Sequence, residues 1–123
     1  ALIEGERGNM LVPANYDGTQ EVDVVHHWDN PGGVTGIAAV VKWTVPQDQE
    51  AWEIEVTLGT GFCPHSGVPL TDAVVVSDQS PAAVAVRSLL GYETGRYFIH
   101  LKPMNAALHL GQVLRTEMHV YVY

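Results

Sequence analysis

The sequence predicts an all-β fold: one antiparallel sandwich of about seven short strands. Three observations predict it. Seven prolines and twelve glycines punctuate short runs rich in Val, Thr and aromatics, a spacing that suits hairpins and Greek keys rather than helices. Several of those runs alternate apolar and polar residues with a period of two. At 46% hydrophobic, the 123 residues can fill one core but not two.

Residues 1–19 have no clean period and read as an irregular N-terminal arm, leaving residues 20–123 as the sandwich domain. Residues 21–27 form a plausible strand, turned by Asn30-Pro31-Gly32-Gly33. In residues 34–44, Ile37, Ala39, Val41 and Trp43 share one face, with Ala38, Val40, Lys42 and Thr44 on the other. Pro46-Gln47-Asp48-Gln49 reads as a turn. The clearest strand follows, where Trp52, Ile54, Val56 and Leu58 alternate with Glu53, Glu55 and Thr57. Residues 59–67 read as a loop and residues 68–76 and 82–87 as strands separated by 77–81. Residues 82–91 are the rival candidate for a helix, but valines at alternate positions favour a strand. Residues 89–95 turn into a strand over 96–102. The last strand, residues 112–123, places Leu114, Thr116, Met118, Val120 and Val122 inside and Arg115, Glu117, His119, Tyr121 and Tyr123 outside.

Charge excludes some functions. With 6 Lys and Arg against 14 Asp and Glu, the net charge of −8 repels nucleic-acid backbones and anionic membrane surfaces alike. No apolar run is long enough to span a bilayer, and residues 1–20 hold no basic region followed by an apolar core. The single Cys63 forbids an internal disulfide and leaves a buried or a free thiol.

Three segments in order carry a resemblance. They are His27-Trp28 leading to Thr35-Gly36-Ile37-Ala38-Ala39-Val40-Val41, then Glu50-Ala51-Trp52-Glu53-Ile54-Glu55-Val56, then residues 102–112 from Lys-Pro-Met-Asn to Leu-Gly-Gln. Together they resemble family 2 carbohydrate-binding modules, over roughly residues 27–122. The resemblance implies an immunoglobulin-like sandwich without catalytic residues, secreted, that grips cellulose- or chitin-type polysaccharide with coplanar exposed tryptophans. Those platforms fall at Trp28, near Val74 and at Met104, of which only the first is aromatic here. The resemblance further implies that Asn105 hydrogen-bonds a sugar hydroxyl and that Trp52 is a buried core residue. Stacking a ring on an aromatic side chain is worth about 1–3 kcal/mol, so losing two platforms costs roughly 2–6 kcal/mol of affinity. Val and Met nonetheless keep an apolar character at those positions, as an interface or ligand groove does.

Other constellations carry less chemistry. His26 and His27 are adjacent and point to opposite faces of a strand, and no His-x-His, Cys-x-x-Cys or His-Glu-x-x-His spacing occurs. No metal or catalytic residue is therefore assigned. Cys63 and His65 resemble a nucleophile–base pair in residue type alone, and Glu53 and Glu55 read as a solvated strand face. The outward row Arg115, Glu117, His119, Tyr121 and Tyr123 reads as a solvated face or as a polar, aromatic surface for a sugar, a ligand or a second subunit.

The sequence thus predicts a non-catalytic binding module with no resident cofactor. Its first expected ligand is a neutral polysaccharide stacked on Trp28, with Val74, Met104, Asn105, His27 and Tyr121 as further ligand-binding candidates. The alternative is a small apolar ligand, such as a carotenoid-like pigment, held at a homo- or hetero-oligomer interface. Both expectations need Trp28 exposed.

Overall fold

The computed structural model describes residues 1–33, 36–76, 82–84 and 94–123, with the backbone alone for 74 and 82–84. The strands are β1 (Leu2–Leu11), β2 (Val24–Asn30), β3 (Ile37–Trp43), β4 (Ile54–Thr60), β5 (Val68–Pro69), β6 (Val74–Val76), β7 (Ala82–Val84), β8 (Gly95–Pro103) and β9 (Val113–Val122). Sheet I runs β1-β9-β3-β7, and sheet II runs β2-β8-β4, with β5 and β6 both on the far side of β4. Every pairing is antiparallel. The two sheets pack face to face, so the expected all-β, antiparallel sandwich is what the chain forms.

Period-two alternation builds the core from both sheets. Ile37, Ala39, Val41 and Trp43 of β3 and Leu114, Met118, Val120 and Val122 of β9 face Trp28, Ile54, Val56, Leu58, Tyr97, Ile99 and Leu101 of sheet II, all buried. At about 25 cal/mol per Å² of apolar surface removed from water, this layer is the main favourable term. Among the described residues no helix is long and apolar enough to cross a membrane, and the helical piece is a short 3₁₀ turn, Ala106–Leu108.

Three predicted elements differ from those observed. The arm expected over residues 1–19 is irregular only from Val12 onward. Leu2–Leu11 is a ten-residue edge strand paired along β9 from Leu2↔Tyr121 to Leu11↔Val113. Its glycines read as turn signals, but Gly8 sits over the core, where a Cβ would lie 2.9 Å from His26 Cε1 and 3.0 Å from Val24 Cγ1. The residue is small because another side chain occupies its space, and not because the chain turns.

The strand expected over 68–76 is broken into β5 and β6, which pair with opposite halves of β4. Pro69 has no N–H to donate and is tolerated at this sheet edge. The strand expected over 21–27 runs instead over Val24–Asn30, and this shift reverses the fate of Trp28, as shown below. The turn predicted at 77–81 and the segments 34–35 and 85–93 lie outside the described residues.

Among the described residues, a polar group links the two sheets through the core at His26. His26 is 1% exposed, its Nδ1 lies 3.1 Å from Glu6 Oε1, and its Nε2 lies 3.4 Å from Thr116 Oγ1. The Thr116 hydroxyl donates to the Gly8 carbonyl at 3.2 Å. The group ties β2 of sheet II to β1 and β9 of sheet I.

Filling the gap above His26 is expected to loosen this brace. Gly8→Val should lower unfolding free energy by about 1–3 kcal/mol, as overpacking of a tight core does. Urea denaturation checks this, and an unchanged midpoint would show that β1 yields without strain.

Candidate functional site

The extension of β2 to Asn30 sets the alternation, so Val24, His26, Trp28 and Asn30 all point inward. Trp28 is 1% exposed and stacks on Tyr97, with ring centroids 5.9 Å apart and 20° between planes. The expected exposed stacking platform is therefore a core residue. A Trp before a Pro-Gly-Gly turn is exposed only if the strand ends before it, and here the ladder continues through Trp28↔Tyr97 to Asn30↔Gly95. Its indole N–H is buried and finds no hydrogen-bond partner among the described residues.

Asn105 is also committed to the fold. Its Oδ1 accepts from the Glu53 backbone N–H and its Nδ2 donates to the Ala51 carbonyl, each at 2.9 Å. It clamps the 3₁₀ turn to the segment leading into β4, a structural role for the residue expected to meet a sugar hydroxyl. Trp52 is fully buried, as the resemblance implied, and His109 stacks on it at 3.9 Å with its ring nitrogens near Gln112 Oε1 and Ala51 O.

The remaining candidates lie apart. Met104 is exposed, beside the 3₁₀ turn at one end of the sandwich. Val74 pairs with Val56 in sheet II, and its side chain lies outside the described residues. His27 points outward from sheet II, 2.9 Å from an Arg96 amino group and edge-on to Phe62. Tyr121 points outward from sheet I, on the opposite side of the molecule. Trp28, Val74 and Met104 thus share no flat exposed surface of stacking rings.

Around His27, sequence reasoning missed a partner. Phe62 is 60% exposed, and the Arg96 guanidinium lies 4.9 Å from its ring centroid while its Nε lies 3.0 Å from Asp29 Oδ1. The loop carrying Phe62 also bends Cys63 back on itself. The Ser66 hydroxyl, 3.3 Å from Sγ, and then the Ser66 and His65 backbone N–H groups hold the thiol below its ordinary pKa. Three further histidines lie apart: His100 pairs with Asp23 at 2.6 Å on sheet II, His109 stacks on Trp52, and His119 faces outward from sheet I. Among the described residues no three His, Cys, Asp or Glu side chains gather as a metal-ligand set.

What the structure does assemble is the outward face of sheet I. Pairing sets Arg7 and Lys42 on either side of Glu117, Asn9 beside Arg115, and Gly5 and Val40 on either side of His119. Arg7 Nε lies 3.5 Å from Glu117 Oε1, and His119 Nε2 lies 4.0 Å from Glu117 Oε2. Arg115 and Glu117 stand as a ridge between two shallow grooves. One, of about 350 Å³, is bordered by Lys42 and Thr44, and the other, of about 410 Å³, by Arg7 and Asn9. The β9 row was legible from alternation, whereas Arg7 and Lys42 join it only through strand pairing. Compared with known proteins, the chain matches no family model and no curated relative.

Two predictions follow from these placements. Trp28→Ala should cost about 3–5 kcal/mol in stability, while Trp28→Phe, which keeps the ring and removes an unpaired N–H, should cost under about 1.5 kcal/mol. Thermal or urea unfolding checks both. The Ser66 hydroxyl and backbone hold the Cys63 thiol below its ordinary pKa, so Ser66→Ala should move the rise of iodoacetamide reactivity to higher pH. Superimposable rate–pH curves would remove Ser66 from that role.

Proposed function

We propose that this protein is a non-catalytic recognition module for a polysaccharide, which it reads on the outward face of sheet I. The single observation that carries the reading is the outward row of β9, a ridge of exposed and half-buried hydrogen-bonding side chains between two grooves that ends at exposed Tyr121. A sugar chain is a ribbon of hydroxyls with apolar ring faces. It is matched by donors and acceptors repeating about every 6.6–6.8 Å along a strand, with an aromatic ring for stacking. The site differs from the one that the family resemblance implied, because Trp28 lies inside the sandwich. An extracellular setting belongs to this reading.

A second reading has its own observation. Leu11, Met104, Leu108, Leu110 and Val113 are all exposed at the end of the sandwich that holds the 3₁₀ turn. An apolar end of this kind supports a small apolar ligand or a subunit contact there, with Met104 adapting its shape.

Retention on insoluble glucan, chitin and calcium polygalacturonate gel separates the two. The polysaccharide reading expects retention on at least one matrix, weakened by Tyr121→Ala by the about 1–3 kcal/mol typical of ring stacking. A protein retained by none, but carrying a visible absorption band and a native mass of several chains, would replace it with the second.

A further inference from the structure

We infer that the polymer taken by the sheet I face is anionic, a carboxylate-bearing glycan of the polyuronate class. The inference rests on the polysaccharide reading above and specifies its substrate. The chain is acidic, at −8 with 6 Lys and Arg, yet three of those six, Arg7, Lys42 and Arg115, occupy outward positions of β1, β3 and β9. Of the fourteen acids, the outward positions of those three strands carry only Glu117. The face is therefore a cationic island on a molecule that repels a polyanion elsewhere, an arrangement that focuses a negative ligand onto one surface.

The geometry suits carboxylates. Arg7 and Lys42 flank Glu117 across two strand spacings, roughly 10 Å, and Arg115 stands one outward step along β9, roughly 7 Å away. The Arg7 side chain is 88% exposed and its contact to Glu117 is a long one at 3.5 Å, so its guanidinium retains donors for an incoming group. Guanidinium forks meet carboxylates with two parallel hydrogen bonds, and charge-assisted bonds are about twice as strong as neutral ones. Gly5 carries no side chain beside His119, so the surface stays open toward Tyr121. A stacking ring in line with the cations favours a uronate chain over an acidic peptide.

The test is titration calorimetry with oligogalacturonate, a neutral cello-oligosaccharide of equal length, and poly-L-glutamate. Oligogalacturonate should bind most tightly. Arg115→Ala and Lys42→Ala should each weaken it about tenfold, the loss of one charge-assisted bond. Lys102→Ala, on the outward face of sheet II, should leave it unchanged. Binding should also weaken as salt shortens the screening length below about 8 Å. If the neutral oligosaccharide binds equally and Arg115→Ala changes nothing, the anionic class is overturned while the polysaccharide reading stands. Poly-L-glutamate binding as tightly, with Tyr121→Ala indifferent for both polymers, would mark an acidic-protein surface and overturn both. No binding to any of the three would overturn the anionic class, and the polysaccharide reading would then fall only if the glucan and chitin matrices also retain nothing.

Discussion

The register of β9 is the constraint on which the rest depends. It is the inner strand of sheet I between β1 and β3, so its alternation sets two surfaces at once. Inward, Leu114, Thr116, Met118, Val120 and Val122 meet sheet II, and outward, Arg115, Glu117, His119 and Tyr121 form the ridge. A slip of one residue would exchange the two sets, burying two charges and exposing four large apolar side chains. The energetic pressure that orders the core therefore also holds the candidate binding row in place. No separate scaffold is needed for it.

A second constraint is polar. His26 reaches across the core toward Glu6 and Thr116, and Gly8 leaves room for its ring. A buried imidazole without partners would destabilise the sandwich, so the partners' strands must be present. This is why an edge strand with two glycines, two glutamates and an arginine in its middle pairs in register from Glu4 to Leu11. The local sequence is a poor strand, but β9 supplies its hydrogen bonds and His26 anchors it. Nothing within residues 1–11 carries that information, since both partners lie far along the chain.

The two faces of the sandwich differ in how their charges are used. On sheet II, Arg96 is taken up by Asp29, His27 and Phe62, and His100 by Asp23. On sheet I, Arg7 lies 3.5 Å from Glu117, while Lys42 and Arg115 stand at outward positions set apart from it by the strand spacing and by a step along β9. Charges satisfied by their neighbours add little that a ligand can use, whereas spaced cations on an exposed face leave hydrogen-bonding capacity free. The spaced cations of sheet I are open to a ligand, whereas Trp28, Trp43 and Trp52 are all buried.

The sequence by itself determined the fold class, the inner and outer faces of β3, β4 and β9, and the burial of Trp52. All of these follow from local alternation and composition, properties that neighbouring residues share. Tertiary structure alone decided the fate of Trp28, because three more rungs of pairing with β8, at residues 28–30, keep it in the strand and inside. It also decided that Asn105 closes a loop, since its partners Ala51 and Glu53 lie more than fifty residues away. The cationic island was equally invisible: Arg7, Lys42 and Arg115 are scattered in the chain and become neighbours only when antiparallel register aligns three strands. Periodicity reports which side a residue faces, but which residues meet on that side depends on pairings between distant segments.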